Sequence, residues 1–261
     1  MTSRPLILIT NDDGVLSPGL HAAAEAVIDL GDVLIVAPAT GQTSMSRAFT
    51  SGPDVGAVVP VEIEIAGRSV TAYGVMGSPA LAVAHAMLEL VDRTPALCVS
   101  GVNYGENIGG GLSVSGTLGA AMHAVSLGIP GLAVSLQVDM DDWHANDERD
   151  WAAAMHFTRQ LAAKILAEGL PDPVSVINLN IPSDASEITE MRRTHQSRLS
   201  HYLHVHPGER DLATPVRLRH ALNLAEEQVE ADSDVRAIMF DRVVSVTPLS
   251  WSMTADTTWR P

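Results

Sequence analysis

The chain has a single cysteine among its 261 residues, Cys98, set in the apolar run Ala96-Leu97-Cys98-Val99. A disulfide framework within the chain is thereby excluded. Basic side chains are scarce, with 16 Lys and Arg against 31 Asp and Glu, a formal charge of -15. That balance argues against a nucleic-acid polymer or an anionic membrane as the main partner, because both reward clustered cations. No apolar stretch approaches the length of a membrane span, and the run that follows Met1-Thr2-Ser3-Arg4-Pro5 is too short for a signal-peptide core. The expectation is a soluble, cytoplasmic protein. Three motifs are missing as well. There is no G-x-G-x-x-G after the first strand, no G-x-x-x-x-G-K-[ST] and no G-x-S-x-G, so a dinucleotide fingerprint, a P-loop and a serine-hydrolase elbow are unsupported. Internal repeats and low-complexity tracts are also lacking.

What is present is a globular composition, 46% hydrophobic and 18% charged. Leu6-Ile7-Leu8-Ile9 and Val33-Leu34-Ile35-Val36 are short, continuous β-branched and Leu runs, the pattern of strands buried on both faces. Similar runs recur at Leu97 to Ser100, Leu132 to Leu136 and Val174 to Leu179. Between them lie helical stretches, from Pro18 to Leu30, Pro79 to Leu90, Ser115 to Leu127 and Trp151 to Glu168. Strands and helices alternating in this way predict βαβ units, and hence a Rossmann-like parallel sheet with flanking helices. The alternating segment from Val55 to Val75 reads as a hairpin outside that sheet. After Asn180-Ile181-Pro182 the chain turns polar, with His195, His201, His204 and His206. One short strand, Val243 to Val246, precedes an irregular tail. Residues 1–182 therefore read as an α/β body and 183–261 as an extended appendage, a C-terminal hairpin or arm that forms oligomers.

In open parallel sheets ligands bind beyond the carboxyl ends of the strands, and three strand ends here carry unusual loops. Thr10-Asn11-Asp12-Asp13-Gly14 puts two carboxylates side by side. They repel unless a cation or hydrogen-bond donors compensate, and hard oxygens suit Mg2+ or Mn2+. An Asx turn with Gly14 at positive φ is the plainer alternative. The second loop, Pro38 to Ser46, offers the hydroxyls of Thr40, Thr43, Ser44 and Ser46, and equally reads as a solvated loop. The third runs from Ser100 through Asn103, Glu106 and Asn107 to Ser115-Gly116-Thr117. Its glycines permit close approach of backbone to ligand. Ser115 is either a plain N-cap or part of an anion site at the start of a helix. Paired carboxylates, an Asn and a helix end at neighbouring strand tips suggest metal-assisted phosphate hydrolysis. Tyr202, His204 and His206 would share a strand face, which raises zinc ligation, but no Cys pair or carboxylate at fixed spacing accompanies them. Asp139, Asp141 and Asp142 read as a solvent-facing acidic loop, and His21 and His123 as structural.

These segments resemble the SurE family. Asn11-Asp12-Asp13-Gly14, Val36-Ala37-Pro38, Ser100-Gly101-Val102-Asn103-Tyr104-Gly105-Glu106-Asn107 and Ser115-Gly116-Thr117 occur in the family's order. So do Pro130 to Ser135, Asn178-Leu179-Asn180-Ile181-Pro182 and Val246-Thr247-Pro248-Leu249. The resemblance implies 5'-nucleotidase activity, with 3'-nucleotidase activity and short-chain polyphosphate hydrolysis in some members. It also implies a homodimer or homotetramer with an exchanged arm, and one divalent metal ion per subunit. Carried over, the metal ligands are Asp12, Asp13, Thr43 and Asn103, with Asp12 and Asp13 catalytic. Asn103, Ser115, Gly116 and Thr117 hold the substrate phosphate. Where family members carry an Asp and, four residues on, a His proposed for proton transfer, this sequence has Ser252 and Asp256. The expected function is a metal-dependent phosphatase acting on nucleoside monophosphates. A non-catalytic nucleotide sensor and a nucleotide-sugar transferase are the alternatives.

Overall fold

A computed structural model describes residues 4–139 and 149–254. Its centre is a nine-stranded sheet in the order β3-β4-β2-β1-β5-β6-β7-β11-β8. The strands are β1 (Leu6–Thr10), β2 (Asp32–Pro38), β3 (Val58–Ile65), β4 (Arg68–Val75), β5 (Leu97–Tyr104), β6 (Gly131–Leu136), β7 (Val174–Ile181), β8 (Met191–Arg193) and β11 (Val244–Ser250). Strands β4, β2, β1, β5, β6 and β7 run parallel to one another, as the alternation of strand and helix predicts. A separate antiparallel pair joins β9 (Tyr202–Val205) to β10 (Arg219–Leu222).

The sheet is covered on both faces because its inner strands carry apolar side chains on both. Ile7 and Ile9 of β1 pack on one side with α1 (Pro18–Val27) and α4 (Ala152–Glu168). Leu8, between them, points the other way, toward α2 (Pro79–His85) and α3 (Gly116–Ser126). All three of these β1 side chains are fully buried, and removing one from water contributes roughly 1.5–3 kcal/mol. The helices start where the sequence supplies caps. The hydroxyls of Ser17, Ser78 and Ser115 accept from the amides of Leu20, Leu81 and Leu118, and Pro18 and Pro79 open α1 and α2.

Two expectations differ from what is observed. The hairpin at residues 55–75 is not outside the sheet, since β4 pairs in parallel with β2 through Tyr73, Gly74 and Val75. Its alternating pattern belongs to an edge. Glu62 and Glu64 of β3 face solvent while Ile63 and Ile65 are buried. The last strand also runs on to Ser250, beyond Val246. It passes through Pro248, beyond the three residues that pair with β8 and where only β7 lies alongside, so a missing amide costs no ladder bond on the open side. Strands β8 and β11 thus place chain from beyond residue 182 within the main sheet. A short helix, α5 (Asp234–Arg236), precedes β11. No helix among the described residues is long and apolar enough to cross a membrane.

Strand order fixes where a ligand can sit. From β1 the chain moves outward to β2 in one direction and to β5, β6 and β7 in the other. The tips of β1 and β5 flank this reversal, the crevice that open α/β sheets use for ligands.

Candidate active site

The loop after β1 is built around Asn11. Its Nδ2 donates to the Ser17 hydroxyl (2.6 Å) and the Gly14 carbonyl (3.2 Å), and its Oδ1 accepts from the Gly14 amide (3.1 Å). Gly14 has φ +110°, a conformation side-chain-bearing residues rarely adopt, and sits beside the main chain of Thr40 and Gly41. The Asx turn is therefore real, and it is what presents Asp12 and Asp13. The amide of Gln42 donates to the Asp12 carbonyl at 2.6 Å, tying the loop after β2 to the same point.

Asp12 is buried and heavily bonded. Its carboxylate accepts from the Thr117 hydroxyl at 2.6 Å and from the amides of Thr117 and Gly116 at the start of α3. A Cβ on Gly116 would lie 2.7 Å from the Asp12 side chain, so only glycine lets helix and carboxylate approach this closely. Burial nevertheless pushes the Asp12 carboxyl up, from 3.8 to about 6, against those hydrogen bonds. Asp13 is raised well above the usual carboxylate range, first by burial and then by the adjacent Asp12 charge, with the Tyr104 amide opposing (3.4 Å). Two neighbouring carboxyls in this condition are a place where a cation would relieve both desolvation and repulsion.

Asn103, at the tip of β5, donates through Nδ2 to the carbonyls of Gly105 (2.6 Å) and Tyr104 (3.3 Å). Its Oδ1 is then the atom it can offer to a ligand. Thr43 is exposed on the loop after β2. Asp12, Asp13, Thr43, Asn103 and Ser115 all line one cavity of about 610 Å3. Gly116 and Thr117 do not line it; they stand behind Asp12 and contact that carboxylate. The donor set Asp12, Asp13, Asn103 and Thr43 consists of hard oxygens, two of them anionic, and fits a small divalent cation such as Mg2+ or Mn2+. Of the three residues for which zinc ligation was raised, Tyr202 and His204 line the cavity, whereas His206 does not and accepts through Nδ1 from the Gly208 amide at 3.0 Å.

Several residues to which the sequence assigned no role complete the site. Asn107 donates from Nδ2 to the Ser135 hydroxyl (2.9 Å), and its carbonyl accepts from the side chains of Asn178 (2.9 Å) and Asn180 (3.1 Å). The tips of β5, β6 and β7 are thereby locked together. Asp234, from the C-terminal part of the chain, accepts from the amides of Gly109 and Ser197, both at 2.9 Å, and holds the glycine loop in place. Glu106 lines the cavity with a fully buried side chain that accepts from the Tyr202 hydroxyl at 2.6 Å. The signal for Asn178 and Asn180 was polar residues inside an otherwise apolar strand.

Of the remaining candidates, His21 contacts the Val15 carbonyl (3.3 Å) and lies away from the cavity. His123 packs edge-on against Phe49. Cys98 is buried, which pushes its thiol up to about 12 and leaves it no nucleophilic role. Ser252 is exposed and outside the cavity lining. Asp256, like Asp141 and Asp142, lies outside the described residues.

The profile of the family described as "Survival protein SurE" matches residues 7–202. The chain is 36% identical over 250 residues to the 5'-nucleotidase SurE of Thermococcus gammatolerans, covering 95% of this chain and 91% of the relative. It is 38% identical over 261 residues to the 5'-nucleotidase SurE of Methanocella arvoryzae, covering 98% and 94%. Among solved structures, the SurE protein from Aquifex aeolicus superimposes with a TM-score of 0.73 at 27% identity, over 96% of this chain and 95% of that one. A cavity at the switch point, with paired aspartates of which Asp12 meets the start of α3, thus sits on a chain similar throughout its length to these proteins: it belongs to the SurE family.

Proposed function

We propose that this chain is a divalent-metal-dependent 5'-nucleotidase, hydrolysing nucleoside monophosphates to nucleoside and inorganic phosphate in the cytoplasm, as a homodimer or homotetramer. Hydrolysis of 3'-nucleotides and short polyphosphate belongs to the same proposal. The observation that carries it is the convergence of Asp12, Asp13, Asn103 and Thr43 on one cavity beside the N-terminus of α3. The 5'-nucleotidase relatives give the substrate class.

When bound to Asp12, Asp13, Asn103 and Thr43, one Mg2+ or Mn2+ supplies Lewis acidity and a local positive charge that an acidic protein otherwise lacks. The chain's own groups do the rest. The Thr117 hydroxyl and the Gly116 and Thr117 amides hold the Asp12 carboxylate in one orientation. Ser115, whose Oγ accepts from the Leu118 amide, keeps its hydroxyl hydrogen for a phosphate oxygen. That hydroxyl, at the start of α3, favours the negative charge that grows on the equatorial oxygens as water adds and the ester oxygen leaves. The attacking water gives up one proton and the departing ester oxygen gains one, so that the products are the nucleoside and hydrogen phosphate. With Asp ionised at neutral pH, Asp256 is a bystander in this scheme.

The test is phosphate release from a panel of nucleoside monophosphates with Mg2+, Mn2+ or excess EDTA, using the wild type and Asp13→Asn. Release that depends on metal and is lost in a folded Asp13→Asn variant supports the reading, and distinguishes it from a nucleotide sensor or a sugar transferase. Full turnover in EDTA would overturn the metal dependence.

A further inference from the structure

The cavity that contains Asp12 and Asp13 is also lined by Tyr202, His204, Leu218 and His220 of the β9–β10 segment. Pairing explains why Tyr202, His204 and His220 are together. His204 lies directly across from His220, and Tyr202 across from Leu222. Opposed residues in an antiparallel pair share a face, and the face recurs every second residue. Tyr202, His204 and His220 therefore project to one side, which Leu218 extends. The intervening residues Leu203, Val205, Arg219 and Ala221 are absent from the lining. The two imidazoles stand 4.6 Å apart, centroid to centroid, tilted by 47°. This face is also tied to the catalytic loop. Glu106, three residues after Asn103, accepts from the Tyr202 hydroxyl at 2.6 Å, and the Gly110 amide donates to the Leu199 carbonyl at 2.9 Å. A cavity of about 610 Å3 falls within the usual range for small-molecule sites, about 300–1,000 Å3.

We propose that the Tyr202–His204–His220 face is the nucleobase subsite: the heterocycle stacks on the imidazoles while the phosphoryl group sits at Asp12 and Asp13. This rests on the nucleotidase reading and extends it to the other end of the substrate. Rings bind bases through their π-faces, which all bases possess, so the subsite accepts purines and pyrimidines and discriminates against phosphoesters without a planar ring.

The experiment compares adenosine 5'-monophosphate with ribose 5-phosphate, measuring the ratio of their kcat/KM values for wild type, His204→Ala, His220→Ala and His204→Phe. The wild type should prefer the nucleotide, and each alanine variant should lower that preference about tenfold, mainly through KM. His204→Phe should retain it, which a purely structural role for the imidazole would not give. A wild-type ratio near one, or alanine variants with the wild-type ratio, would overturn the subsite while leaving the phosphatase intact. A fall in His204→Phe as large as in His204→Ala would also overturn stacking. If the wild type releases phosphate from neither compound, the nucleotidase reading fails. Calorimetric binding of the same two compounds to the same variants then decides the subsite alone, by whether the alanine variants lose affinity for the nucleotide selectively.

Discussion

The hydroxyl of Thr117 donates to the carboxylate of Asp12 across 2.6 Å of space and 105 residues of chain. It joins the tip of β1 to the first turn of α3 and fixes one of the two aspartates before any ligand arrives. A hydrogen bond to a charged partner is worth roughly 1.5–3 kcal/mol. Thr117→Val keeps the shape and removes the donor. We expect it to lose stability of that order in urea titrations and at least about tenfold in kcat/KM, whereas Thr117→Ser keeps both near wild type.

Gly116→Ala tests the closeness of helix and carboxylate. The added Cβ would fall 2.7 Å from Asp12 Cβ and Oδ2, so Asp12 must move. A displacement near 1 Å at a catalytic group costs on the order of a hundredfold in rate. Gly52→Ala, where the new Cβ meets only the Val55 side chain at 3.5 Å, is the control. Equal activity of the two variants would show that the contact is slack.

The raised carboxyls make a statement about pH. In the metal-free protein Asp12 binds its proton more tightly folded, at about 6, than at its ordinary value of 3.8. Its neutral form therefore favours the native state below 3.8, and that advantage is lost as pH climbs through 6. Asp12→Asn cannot ionise. In EDTA, its stability relative to wild type should rise between pH 4 and pH 7, by a few kcal/mol at most. Added Mg2+ should return stability to the wild type alone. Chemical denaturation at the two pH values, with and without metal, measures both effects.

Light scattering addresses assembly. Leu203 and Leu222 of the β9–β10 pair are 48% and 49% exposed, and Leu212, in the turn between the strands, is 84% exposed. A two-stranded ribbon with apolar residues in water is marginal alone. We expect at least a dimer at micromolar concentration, and a smaller species when residues 203–221 are replaced by a short Gly-Ser turn.

Legibility in the sequence followed burial. Strands β1, β2, β5 and β6 could be read directly because both of their faces meet helices, which leaves an unbroken apolar run such as Leu6 to Ile9. The β3–β4 hairpin showed as strands, but its attachment did not. Alternation reports that one face is wet, and only the pairing of Tyr73 with Val36 reveals a neighbour. At the site, Asp12 and Asp13 stood out because adjacent carboxylates need a reason to be there. Asn107, Asn178 and Asn180 lie in quoted motifs, but their role was not legible, because it lies in three strand tips meeting through side-chain amides. Nor could spacing tell that Thr117 faces Asp12, since the helix end and the first loop are distant in the chain.

The outer strand β3 carries Pro60, Glu62 and Glu64 along an otherwise open border of the sheet. A further strand arriving there would meet one residue without an amide and two acidic side chains, one of them already engaged by Thr71 and Ser69. Growth by continued strand addition is blocked at that end. That border is thereby guarded against pairing with an exposed strand of another chain, the route by which open sheet edges aggregate.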